Sequence, residues 1–104
     1  MQMADISDGF DELTPEDRRL GDDVVSSALA TAEMHRSGQV VALGMGRDQI
    51  KVRLPHQVGD REDLTLYVLH MMEKRGQREV NFAYDDAQKP YKITHLVLPR
   101  ESRA

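Results

Sequence analysis

The sequence predicts an α+β domain with elements in the order α-β-β-α-β-β. Three observations lead there. Two stretches carry apolar residues at helical spacing, each opened by capping residues and closed by a glycine. Gln49 to Leu54 alternates strictly between polar and apolar side chains, the pattern of a strand with one wet face. The remaining apolar runs are short and bounded by glycine, proline or charge, as strands are. Each half then offers one helix and two strands. The simplest packing is a four-stranded, largely antiparallel sheet with both helices on one face. The other face is left to water or to a partner.

The first helix begins at Thr14-Pro15-Glu16-Asp17. Thr14 can cap free N–H groups, Pro15 suits the first helical position, and the acids complement the positive dipole end. Leu20, Val24, Val25, Ala28, Leu29 and Ala32 follow at helical spacing. Gly21 weakens this helix by about 1 kcal/mol relative to Ala and is the point where it can break. Arg36-Ser37-Gly38 supplies a basic last turn and a left-handed stop. A first strand is expected over residues 39–45, where Val40-Val41-Ala42-Leu43 is continuously apolar. Gly44-Met45-Gly46-Arg47-Asp48 reads as a hairpin turn. The second strand follows, with Ile50, Val52 and Leu54 facing in and Gln49, Lys51 and Arg53 facing out, until Pro55 ends it.

Asp60 is read as the cap of a second helix over Arg61 to Arg75, with Asp63 in its first turn and Gly76 as its stop. Leu64, Leu66, Tyr67, Val68, Leu69, Met71 and Met72 cover more than one stripe of it. Such a helix is either central or shared with a partner. Arg78 to Tyr84 is expected as a third strand with Val80, Phe82 and Tyr84 on one face. Tyr91 to Leu98 is expected as a fourth, ended by Pro99. The anticipated core is Val40, Val41, Leu43, Ile50, Val52, Leu54, Leu64, Val68, Met71, Val80, Phe82, Ile93 and Val97.

Composition bounds the function. The chain has 104 residues, 39% hydrophobic and 31% charged, with no Trp, two Phe and three Tyr. One domain is the natural expectation: residues 14–99, between a flexible acidic arm at 1–13 and a polar tail at 100–104. Absence of cysteine excludes disulfides, thiolate catalysis and Cys-based zinc sites. It also favours a reducing compartment. No basic start with an apolar run opens the chain, and no stretch reaches the roughly 18 apolar residues needed to span a bilayer. Cytoplasm, without membrane contact, is the expected location. The net charge of −4 is unevenly placed: residues 1–23 hold eight acids against Arg18 and Arg19, a net of −6, and the rest of the chain nets +2.

No residue pattern demands catalysis. His35, His56, His70 and His95 are separated by 21, 14 and 25 residues and fall on different elements, so metal-ligand spacing is lacking. No metal or other cofactor is implied. Gly44-Met45-Gly46-Arg47 precedes a strand, whereas phosphate loops open helices. The expectation is therefore a non-enzymatic regulatory or interaction protein, an adaptor, inhibitor or accessory subunit, that binds a protein partner through its surface. Phe10, Leu13, Leu66, Tyr67, Leu69 and Met72 are the candidate contacts, suited to a homodimer seam or a docked partner. The alternative is a small nucleic-acid-binding regulator, with Arg47, Lys51, Arg53, Arg75, Arg78 and Lys92 meeting a polyanion. Against it, Phe82 and Tyr84 share the apolar side of their strand, and the body's net charge is small. A third reading is a small enzyme using His70 or His95 with a distant carboxylate.

Overall fold

The computed structural model describes residues 9–38, 49–85 and 92–100. Within them the element order is α1 (Pro15–Arg36), β1 (Gln49–Arg53), α2 (His56–Gly59), α3 (Glu62–Lys74), β2 (Asn81–Asp85) and β3 (Lys92–Pro99). The protein is thus α+β. Its sheet, among the described residues, has three strands rather than four, in the order β1-β3-β2, with both pairings antiparallel. The strand expected over 39–45 lies outside the described residues, and so do Arg47, Val40, Val41 and Leu43.

α1 starts as its sequence requires. The Thr14 side chain accepts from the Asp17 N–H and the Asp17 carboxylate accepts from the Thr14 N–H, a reciprocal capping box. The helix runs through Gly21 without a break. Gly21 is buried against the Tyr67 ring, and a Cβ there would lie 2.6 Å from ring carbon Cδ2. The missing side chain is therefore what lets α3 approach α1. Gly38 ends the helix region at φ +82° and Gly76 follows α3 at φ +95°, both left-handed.

The structure refines the expected elements. Residues 56–59, between the strand that Pro55 ends and the second long helix, form the short helix α2, and Val58 within it is fully buried. Asp60 closes α2 instead of capping the next helix. Arg61 holds the N-cap position of α3 and makes no side-chain cap. β2 starts at Asn81 and not at Arg78. In β3 Leu96 and Leu98 join the core cluster, and Val97, anticipated in the core, is buried as well but on the other face of the sheet. Ile50 pairs with Leu98 and Val52 with Leu96, so these four side chains share one face. They form a continuous core with Val24, Val25, Ala28, Leu64, Val68 and Met72 from the helices. Val97 stands between Lys51 and Asn81 on the opposite face.

Three polar devices tie the layers together. Arg36, in the last turn of α1, donates to the carbonyls of Pro99 (2.8 Å) and Arg100 (3.0 Å) and to Gln77 Oε1 (3.2 Å). Arg61 bridges Asp17 at the start of α1 and Asp63 at the start of α3 (2.9 and 2.8 Å). The Tyr67 hydroxyl donates to Asp22 across the α1–α3 contact (2.8 Å).

Candidate functional site: a groove along the outer stripe of α3

α3 carries two apolar stripes that part company in space. Leu64, Tyr67, Val68 and Met72 are buried. Leu66, Leu69, His70 and Glu73 recur at i, i+3, i+4 and i+7, one helical face. That second face lines an open groove of about 490 Å³, together with Phe10, Arg78 and Val80. Leu66 is 48% exposed, one of the few large apolar side chains so placed.

The groove has a built wall. Leu13 is buried and its N–H donates to the Phe10 carbonyl, which also accepts from Arg18 at 2.6 Å. The Phe10 ring meets Tyr67 edge-on and His70 at a tilt, each with centroids 5.4 Å apart. Arg18 lies over the Tyr67 ring, 5.5 Å from its centroid. The segment 9–13 is thereby fixed beside α3. At the floor, His70 Nε2 is shut away from solvent and has no hydrogen-bond partner. The rim carries one exposed acid, Glu73, and one exposed base, Arg78.

Of the residues singled out for a protein partner, the structure brings Phe10, Leu66 and Leu69 together in this groove. It takes the other three away. Leu13, Tyr67 and Met72 belong to the chain's own core, where α1 and the sheet cover them. Sequence reasoning missed Glu73, Arg78 and Val80 as neighbours of that surface, and treated His70 only as a titratable group. The 66-69-70-73 spacing held the signal for the helical part. The other wall comes from distant chain and has no local signature.

The basic residues do not form one stripe. Arg47 lies outside the described residues. Lys51 and Arg53 are exposed on the sheet face turned away from the helices, beside His95, which pairs with Arg53 in register. Burial, with the charges of Arg53 and Lys51, holds the His95 imidazole below its ordinary pKa. Its Nδ1 lies 2.9 Å from the Thr94 hydroxyl. Arg75, at the end of α3, donates to Ser26 of α1 (3.1 Å), Arg78 lies at the groove, and Lys92 pairs with Asp60 (3.3 Å). Among Lys51, Arg53, His95, Val97, Asn81 and Ala83 on this face there is no Phe, Tyr or Trp ring.

A second depression, about 630 Å³, is lined by Glu16, Asp17, Leu20, His56, Gln57, Asp60 and Arg61. Two of its carboxylates are engaged in ion pairs, Asp17 with Arg61 and Asp60 with Lys92 outside the depression. Among the described residues no group of three or more His, Asp or Glu side chains is placed to hold a metal ion. No helix among them is long and apolar enough to cross a membrane.

The fold and groove define a small α+β protein with a helix-lined surface cleft. No family model, no curated protein and no solved structure matches this chain.

Proposed function

We propose that this is a non-enzymatic interaction protein, a regulator, adaptor or accessory subunit, that captures a segment of a partner protein in the groove along α3. The observation that carries the reading is Leu66, 48% exposed in a groove that it lines together with Phe10, Leu69 and Val80 and with the polar His70, Glu73 and Arg78. Apolar side chains gathered in a concave site with a few polar groups beside them are what a binding surface presents. Opposite charges at the rim, Glu73 and Arg78, add orientation. A second copy of the chain is a candidate occupant as well as a different protein. We place the protein in the cytoplasm, on its cysteine-free composition.

Support for a catalytic reading is thinner. His70 faces the Phe10 ring, and His95 sits beside two cations on the far side of the sheet. A polyanion reading has one observation in its favour, the pairing of Lys51 and Arg53 on the open sheet face. It lacks Phe, Tyr or Trp rings there for stacking.

Affinity capture from nuclease-treated lysate of the source cells separates the two surfaces. Leu66→Arg is expected to lose the captured protein, and the double variant Lys51→Glu, Arg53→Glu to keep it. The reverse pattern, with retention that weakens steeply between low and moderate salt, hands the function to the sheet face.

A further inference from the structure

His70 is the one described residue whose side chain holds a buried polar atom without a hydrogen-bond partner. Native proteins seldom leave such an atom unsatisfied, because removal from water then has no compensation. The atom lies in the helix turn above Leu66, on the same face of α3 and in the same groove. An uncompensated group costs the free protein stability, and sites of this kind are where binding function is found.

Resting on the groove reading above, we infer that the groove accepts an extended segment of a partner protein, one bulky apolar side chain lying against Leu66 and Leu69 and an adjacent backbone amide group hydrogen-bonding to His70 Nε2. Three properties choose this occupant. The volume, about 490 Å³, lies in the range of pockets that seat a small group such as one or two side chains. A partner helix has its interior N–H and C=O groups already paired, so it has none to offer His70, whereas an extended strand has alternate groups free. Glu73 and Arg78, with no ion pair to other described residues, complement charges flanking the apolar anchor. Water does not reach Nε2 with the side chains as they stand. Access therefore needs movement of its neighbours. The exposed Leu66 side chain, one helical turn away, is the group placed to supply it.

The test uses the full chain and a phage-displayed library of random dodecapeptides, selected on the parent protein, with the winners then measured on Leu66→Arg. The expected winners carry a single large apolar residue in a non-helical, proline-tolerant context with an acidic neighbour. Their affinity is expected to fall at least tenfold on His70→Phe and to recover on His70→Gln, which returns a polar group to the same reach. His70→Phe is also expected to melt at a higher temperature than the parent, since it removes an unpaired buried nitrogen. Unchanged affinity on His70→Phe overturns this inference and leaves the groove reading standing. Winners with apolar residues at i, i+3 and i+4 that bind as helices overturn it too, as does a lower melting temperature for His70→Phe. Peptides that bind Leu66→Arg as well as the parent overturn the groove reading, and this inference with it.

Discussion

Two glycines set the distances on which the core depends, and they do so by lacking a side chain. A Cβ on Gly59 would overlap the backbone carbonyl oxygen of Ile93, pressing α2 against β3. Neither neighbour is a movable side chain. Gly59→Ala is expected to cost about 2–3 kcal/mol, the range of forced overpacking. Gly21→Ala meets the Tyr67 ring instead, 2.6 and 2.9 Å from its Cδ2 and Cε2. That substitution gains about 1 kcal/mol of helix propensity. It must also displace a ring held by Asp22, Phe10 and Arg18. A smaller net loss, about 1 kcal/mol, is expected because a side chain yields more readily than backbone. Urea denaturation of both variants checks the order. A larger loss at Gly21 than at Gly59 would contradict this account.

At the scale of elements, polar clamps tie the two ends of α1 to the rest of the fold. Arg36 joins the end of α1 to the end of β3 and to Gln77, which is itself buried and donates to the Glu79 carbonyl. Arg36→Ala removes three charge-assisted hydrogen bonds and leaves Gln77 Oε1 without this donor. A loss of about 2 kcal/mol is expected. Arg36→Lys should recover only part of it, because one ammonium cannot reproduce the guanidinium fork. Chemical denaturation at neutral pH measures both.

The clamp at the other end has a pH signature. Hydrogen bonds from Arg61 hold both Asp17 and Asp63 below the ordinary carboxylate value, with the Thr14 N–H helping at Asp17 and the Leu64 N–H at Asp63. Their folded values lie below the unfolded value of 3.8, so the unfolded chain takes up protons first as pH falls. The stabilisation is present above about pH 4 and is lost progressively below it. Both pairs are partly exposed, so the effect is modest and weakens in salt. Arg61→Ala should flatten the acid limb of a stability-against-pH curve. An unchanged acid limb would remove this role.

On the scale of the whole molecule, charge and shape divide between the two sides. Glu16, Asp22 and Asp23 lie exposed on α1, while Lys51 and Arg53 stand on the open sheet face beyond the core. His95 shares that open face with the two cations. Its folded pKa is lowered, first by burial and then by Arg53 and Lys51. The unfolded imidazole therefore binds a proton before the folded one does as pH drops. The contribution to stability is fully present above about pH 6.5 and declines as pH falls through that value to the folded one. The double change Lys51→Gln, Arg53→Gln is expected to raise the His95 pKa, read by NMR titration of the imidazole protons. A parent value at or above 6.5, or no rise in the variant, would show that the cations do not act on it.

What the sequence determined alone was local in origin. The Thr14-to-Asp17 capping box, the left-handed Gly38 and Gly76, the inward Ile50 and Val52 and the α+β class all follow from spacing and from side-chain chemistry within a few residues. Tertiary structure decided which of the apolar residues would be left over. Leu64, Val68 and Met72 are covered because α1 lies close over α3, which in turn depends on Gly21. Only then do Leu66, Leu69 and His70 become the residual stripe, and only chain returning at Phe10 and Val80 turns that stripe into a groove. Leu96 and Leu98 join the cluster with the helices while Val97 is buried on the other face of the sheet, because strand register is fixed by pairing partners far away in sequence. Periodicity says that a side chain is oily. Whether it meets protein or solvent depends on what packs over it, and that is a property of chain segments distant in sequence.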